Sequence, residues 1–100
     1  MELIDNGNAV ALSLTGKLGL SDVAQIHALC IDAVNSGRQV QVQLSEAAHL
    51  HAAVVQCLRA LELRLQATGS KLVIGPISKP AADALRWSGL GHWLPLEPGA

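Results

Sequence analysis

Apolar and polar residues alternate along residues 9–15, with Val10, Leu12 and Leu14 on one side and Ala9, Ala11, Ser13 and Thr15 on the other. A period of two marks a strand whose faces meet different surroundings. Residues 2–5 form a second strand candidate across Asn6-Gly7-Asn8, and Asn-Gly supplies the positive-φ positions that a tight hairpin requires. Gly16 is expected to end the longer strand. From Val23 the period changes. Val23, Ile26, Leu29, Cys30, Ala33 and Val34 recur at three- and four-residue spacing, the single apolar stripe of a helix. Ser21 is expected to cap it, Asp22 to complement its positive end, and Asn35-Ser36-Gly37 to close it.

Residues 38–44 alternate again, Val40, Val42 and Leu44 against Gln39, Gln41 and Gln43, so one side of this strand is expected to be solvated or lightly covered. The spacing then predicts a helix over 54–65, with Val54, Cys57, Leu58, Leu61 and Leu65 inward, ended by Thr68-Gly69. Residues 71–74 are continuously apolar after Lys71, as in a strand buried within a sheet. Gly75-Pro76 reads as a turn, and Ser78 with Pro80 behind it starts a helix that runs to Trp87 and stops at Ser88-Gly89. Residues 92–96 are a candidate last edge strand. The order β-β-α-β-α-β-α, with that further strand, implies an α/β fold. Its mixed sheet is opened by a β-hairpin, and right-handed crossovers put the helices mainly on one face. The expected organisation is one domain over 1–97 and a tail over 98–100.

Composition narrows the function more than the fold. The chain has 100 residues, 50% apolar and 15% charged, enough for one core. Phe and Tyr are absent, so the core is aliphatic, with Trp87 and Trp93 the only large rings, expected as core and lid. A net charge of −1 leaves no electrostatic footprint for nucleic acid or an anionic membrane surface. No apolar run approaches the ~20 residues that a bilayer span needs, so no membrane insertion is expected. The first residues lack the basic start and apolar stretch of a secretion signal. Cys30 and Cys57 are therefore expected as reduced, buried thiols of a cytoplasmic protein.

Chemistry is sparse. The glycines stand singly at turns, with no phosphate-cradling loop, and no Cys-x-x-Cys pair exists. No cofactor is implied. His49 and His51 make a His-x-His that would aim both rings to one face of a strand and hold a metal, but no third or fourth ligand stands nearby in sequence. Ser45 as a nucleophile with Glu46, His49 and His51 would need a second carboxylate or an oxyanion glycine, and neither follows. The expectation is a protein that is not an enzyme.

The segment 43–55, Gln-Leu-Ser-Glu-Ala-Ala-His-Leu-His-Ala-Ala-Val-Val, resembles the central motif of the STAS domain in the anti-sigma factor antagonist family. That motif is a strand ending Asp-Leu-Ser, then x-Val-x-x-Ile-Asp-Ser-Ser/Thr-Gly-Leu, then a helix. Leu44 and Ser45 match, Ala47 stands at the Val, Leu50 at the Ile and Val55 at the closing Leu. Leu14-Thr-Gly-Lys-Leu18, Ala67-Thr-Gly-Ser-Lys-Leu-Val-Ile-Gly75 and Trp87-Ser-Gly-Leu90 are similar to the family's other landmarks, so the resemblance covers nearly the whole chain.

The resemblance implies a bacterial, cytoplasmic signalling domain that binds a protein, such as a histidine-kinase-like ATPase or anti-sigma factor. It also puts the phosphorylated Ser or Thr of the family at Ala53, where no oxygen can accept a phosphoryl group. The preceding Ser is Ala52, the Asp is His51, the glycine is Val54 and the strand-end Asp is Gln43. The partner-binding loop and helix start are then Ser45, Glu46, His49, His51, Ala52, Ala53 and Val54. Two alternatives remain at this point: the cytosolic STAS subunit of a lipid or anion ABC-type transporter, and a metal-binding protein using His49 and His51. Phosphorylation elsewhere would fall first to Ser45, the nearest hydroxyl.

Overall fold

A computed structural model describes residues 1–90. Among the described residues the order is β1 (Glu2–Asp5), β2 (Ala9–Ser13), β3 (Gly16–Leu18), a 3₁₀ turn (Leu20–Asp22), α1 (Val23–Asn35), β4 (Gln39–Leu44), β5 (Ala47–Leu50), α2 (Ala52–Ala67), β6 (Leu72–Ile77) and α3 (Lys79–Trp87). The expected strand over 92–96 and the tail over 98–100 lie outside the described residues, as does Trp93.

The main sheet has the order β1-β2-β4-β6, antiparallel in its opening hairpin and parallel thereafter. This is the mixed α/β architecture that the alternation implies. The hairpin turns at Gly7, whose φ of 86° needs a residue without a Cβ. The Gly7 N–H donates to Asp5 Oδ1 at 2.8 Å. Arg38, just before β4, binds both oxygens of the same carboxylate at 2.6 and 3.1 Å. Those bonds, Arg38's first and Gly7's second, hold the Asp5 carboxyl below the usual carboxylate range. The contact staples the hairpin to the strand that follows α1.

One face of the sheet carries the core. Val10 and Leu12 of β2, Val40, Val42 and Leu44 of β4, and Ile74 of β6 meet Ile26, Cys30 and Ala33 of α1. Val54, Val55, Leu58, Leu61 and Leu65 of α2 complete the cluster. The other face is set by register: Ile4, Ala11, Gln41 and Val73 stand in one row across four strands. Ala11 is nonetheless buried, its methyl flanked in that row by Ile4 and Gln41.

Three expectations need correction. Ser21 does not cap α1; it lies inside the 3₁₀ turn, and the side-chain bond there runs from the Gly19 N–H to Asp22 Oδ2 at 2.8 Å. Gly75-Pro76 is no turn but part of β6, the last strand of the sheet among the described residues. Proline lacks an N–H and survives in a sheet at an edge or a bulge. The second condition holds here, for the register against β4 shifts between Val42 and Leu44. Gly75 takes φ 140°, and its carbonyl accepts from Gln41 Nε2 at 2.8 Å. Trp87 is not core: it is 91% exposed at the end of α3.

The two cysteines sit on facing helices, beside one apolar crevice lined also by Ile31, Val34, Ala60 and Leu61. Cys30 is buried and Cys57 half-buried, and both are free thiols. Burial, with Cys57 adding to it, pushes the Cys30 thiol up to about 12, and burial raises Cys57 as well. Thiols held protonated are poor nucleophiles, so the pair serves as packing.

Candidate functional site

β4 delivers the chain to Ser45 and Glu46, both exposed, at one end of the sheet. The stretch beyond them is not a loop throughout, because Ala47–Leu50 forms β5, in parallel with β3. Gly16 faces Ala47, Lys17 faces His49 and Leu18 faces Leu50, with a register shift after Gly16. Backbone bonds close both ends of this ribbon: the Gly16 N–H donates to the Glu46 carbonyl at 2.9 Å and the His51 N–H to the Leu18 carbonyl at 2.8 Å. Gly16 therefore begins a new strand rather than ending the old one. Ala47 and Leu50 point into the core, leaving Ala48 and His49 outward.

α3 supports β5 from beneath. Ser78 Oγ donates to the Ala47 carbonyl at 2.6 Å and accepts the Ala81 N–H at 3.2 Å, capping α3 and tying it to β5 in one residue. The expected Ser78 cap is thus present, with a second role the sequence did not reveal. Ser78→Ala is expected to lower stability by about 1–2 kcal/mol, since a cap and a partly buried carbonyl's partner go together. Urea denaturation measures it. A midpoint equal to the wild type's would remove Ser78 from this role.

At the head of α2, His51 is the N-cap, and its Nδ1 accepts the Ala53 N–H at 3.0 Å. An accepting Nδ1 puts the neutral ring's proton on Nε2. Ala52 is exposed and Ala53 half-buried, and both belong to the first turn. Val54 is the exception among the expected contact residues. At 0% exposure it is core and cannot touch a partner. The helix begins two residues before the expected start at Val54, and Val54 keeps the inward position that the apolar stripe gave it.

Two surface features beside this turn went unforeseen. Leu20 is 66% exposed in the 3₁₀ turn, which packs against α2. A cleft of about 280 Å³ lies between Ala52, Val55, Gln56 and Arg59 of α2 and Ser88 and Leu90 after α3. The only sequence signal for Leu20 was that it falls outside the apolar stripe of α1. Arg59 lies beside Glu62 as an ion pair on the same helix.

The arrangement offers little to a reaction. Among the described residues no three His, Cys, Asp or Glu side chains gather where they would hold a metal ion, and His51 spends its Nδ1 on the helix cap. Among the described residues no helix is long and apolar enough to cross a membrane.

A family model described as "Mlab, STAS domain" matches residues 2–97. The chain belongs to the STAS domain family. Its fold is shared with solved anti-sigma factor antagonists. The unphosphorylated form of SpoIIAA gives a TM-score of 0.82 at 20% identity, covering 98% of this chain and 88% of that one. The phosphorylated form of SpoIIAA from Bacillus gives 0.75 at 20% identity, covering 98% and 91%. A putative anti-sigma factor antagonist from Thermotoga maritima gives 0.79 at 11% identity, covering 91% and 80%. No curated relative matches this sequence. In this STAS domain the first turn of α2 carries Ala52-Ala53, held by a histidine cap and framed by β5, the 3₁₀ turn and the end of α3.

Proposed function

We propose that this STAS domain is a non-enzymatic docking module of a bacterial signalling system. Its surface is Ser45, Glu46, His49, His51, Ala52 and Ala53, with the outward stripe of α2 beyond them. The observation that carries the reading is Ala53, a methyl group on an accessible first turn at the position where the family resemblance puts a phosphorylated hydroxyl. A phosphoryl group there would add nearly two negative charges at the contact. Alanine keeps the surface permanently uncharged, so docking at this site is not switched by phosphorylation. The partner is a protein, and by family resemblance an ATPase of the histidine-kinase-like or anti-sigma type.

A second reading uses the same surface: the cytosolic STAS subunit of a lipid or anion transporter, bound to that transporter's ATPase. It is retained because the matching family model is described as Mlab rather than as an antagonist. Affinity capture from the native lysate, comparing wild type with Ala53→Glu, tests both. A carboxylate on the first turn suits the helix dipole, so the variant is expected to fold. It is expected to lose the captured ATPase by tenfold or more, on the order of 1.4 kcal/mol or above. Equal capture by a folded Ala53→Glu would sink the docking surface. A transporter ATPase in place of a signalling one would select the second reading.

A further inference from the structure

We infer that His51 is a proton-operated cap for α2, the helix that opens the docking surface. The inference deepens the docking reading and rests on it for its biological meaning, though not for its test. The first N–H groups of a helix have no partner within it, and the usual caps are oxygens of Ser, Thr, Asn or Asp, which still accept at mildly acidic pH. Here the acceptor is a ring nitrogen: His51, in extended conformation at φ −67° and ψ 148°, takes the Ala53 N–H on Nδ1. A neutral imidazole has one accepting nitrogen and an imidazolium has none. Adding a proton therefore removes the cap. It also sets a cation beside the positive end of the helix, which is unfavourable.

Nothing acidic stands in the first turn of α2 to take over. Among the charged groups on the elements around His51, Asp22 of the 3₁₀ turn accepts the Gly19 N–H. Lys17 of β3 lies opposite His49 of β5, and neither is an acid that could offset the charge. Glu46 stands at the far end of β5, before Ala47. On α2 itself Arg59 is paired with Glu62, and on α3, packed against β5, Asp83 is bridged to both Lys79 and Arg86. His51 is exposed, so protons reach it. Acidification thus turns a neutral, capped turn into a cationic, loosened one at the position where the family resemblance puts a negative switch.

The test is a titration of the full chain by nuclear magnetic resonance from about pH 8 to about pH 5, which spans the imidazole range. The Ala53 amide proton is expected to move upfield with the same midpoint as the His51 ring protons, as its hydrogen bond is lost. In His51→Asp the carboxylate stays ionised to about pH 4, so that movement is expected to vanish over this range. His49→Gln is expected to leave it intact. An Ala53 amide that ignores the His51 ring, that still titrates in His51→Asp, or that stops titrating in His49→Gln overturns the inference. Each of those outcomes leaves the docking reading to be decided separately by the Ala53→Glu capture.

Discussion

Val54→Asp is expected to unfold the domain, or to leave too little stability for it to be purified folded, whereas Ala53→Glu one residue earlier leaves the fold intact. Val54 is fully buried between α2 and the sheet, in the cluster with Leu44 and Leu58. A carboxylate there has no cation to pair with among the described core residues, which include no polar or charged side chain. It must either stay ionised in an apolar setting or take up a proton. The effective penalty is several kcal/mol. Domains of this size are stable by about 5–15 kcal/mol in total. Far-UV circular dichroism with a thermal scan decides the matter. A Val54→Asp protein melting within a few degrees of the wild type would mean that Val54 faces solvent, and the boundary between core and proposed docking surface would have to be redrawn.

Leu58→Ala is expected to cost about 2–5 kcal/mol, the range for a buried leucine whose neighbours only partly close the gap. Leu58 is fully buried one turn along α2 from Val54, so the cavity would open beneath the helix that carries the proposed docking surface. Leu63→Ala on the same helix removes the same atoms from a side chain that is 50% exposed, and is expected to stay within about 0.5 kcal/mol. In urea the midpoint should fall for Leu58→Ala with the slope unchanged, since the surface exposed on unfolding hardly differs. Equal effects at Leu58 and Leu63 would contradict the inward face assigned to α2.

These variants separate what was legible in the chain from what was not. The alternation of Val40, Val42 and Leu44 and the stripes of α1 and α2 located the core correctly, because local periodicity reflects burial directly. Cys57, on that same expected stripe, proved only half-buried, while Val55, which the spacing left out, is buried. The helix began earlier than its apolar run, and the apolar face is broad enough that its edge cannot be placed by spacing alone. The candidate site followed the same division. The motif singled out residues 45–53 but did not give their conformation, which includes β5 and the first turn of α2.

Sequence alone determined the class of fold, the faces of its main strands and helices, the hairpin, the Ser78 cap and the absence of a hydroxyl at Ala53. Each is a property of neighbours along the chain, where period, turn residues and side-chain chemistry act locally. Only the tertiary structure decided that Gly16–Leu18 and Ala47–Leu50 pair as strands, that Gly75-Pro76 lies inside β6, and that Trp87 points to solvent. The short ribbon has no alternation to announce it, since its strands exist by hydrogen bonding to each other across some thirty intervening residues, as in the Gly16–Ala47 pair. The His51 cap is of the same kind. A histidine before a helix reads as a loop residue until the backbone turns its ring nitrogen onto the Ala53 amide. The His51 N–H is itself held by the Leu18 carbonyl of β3.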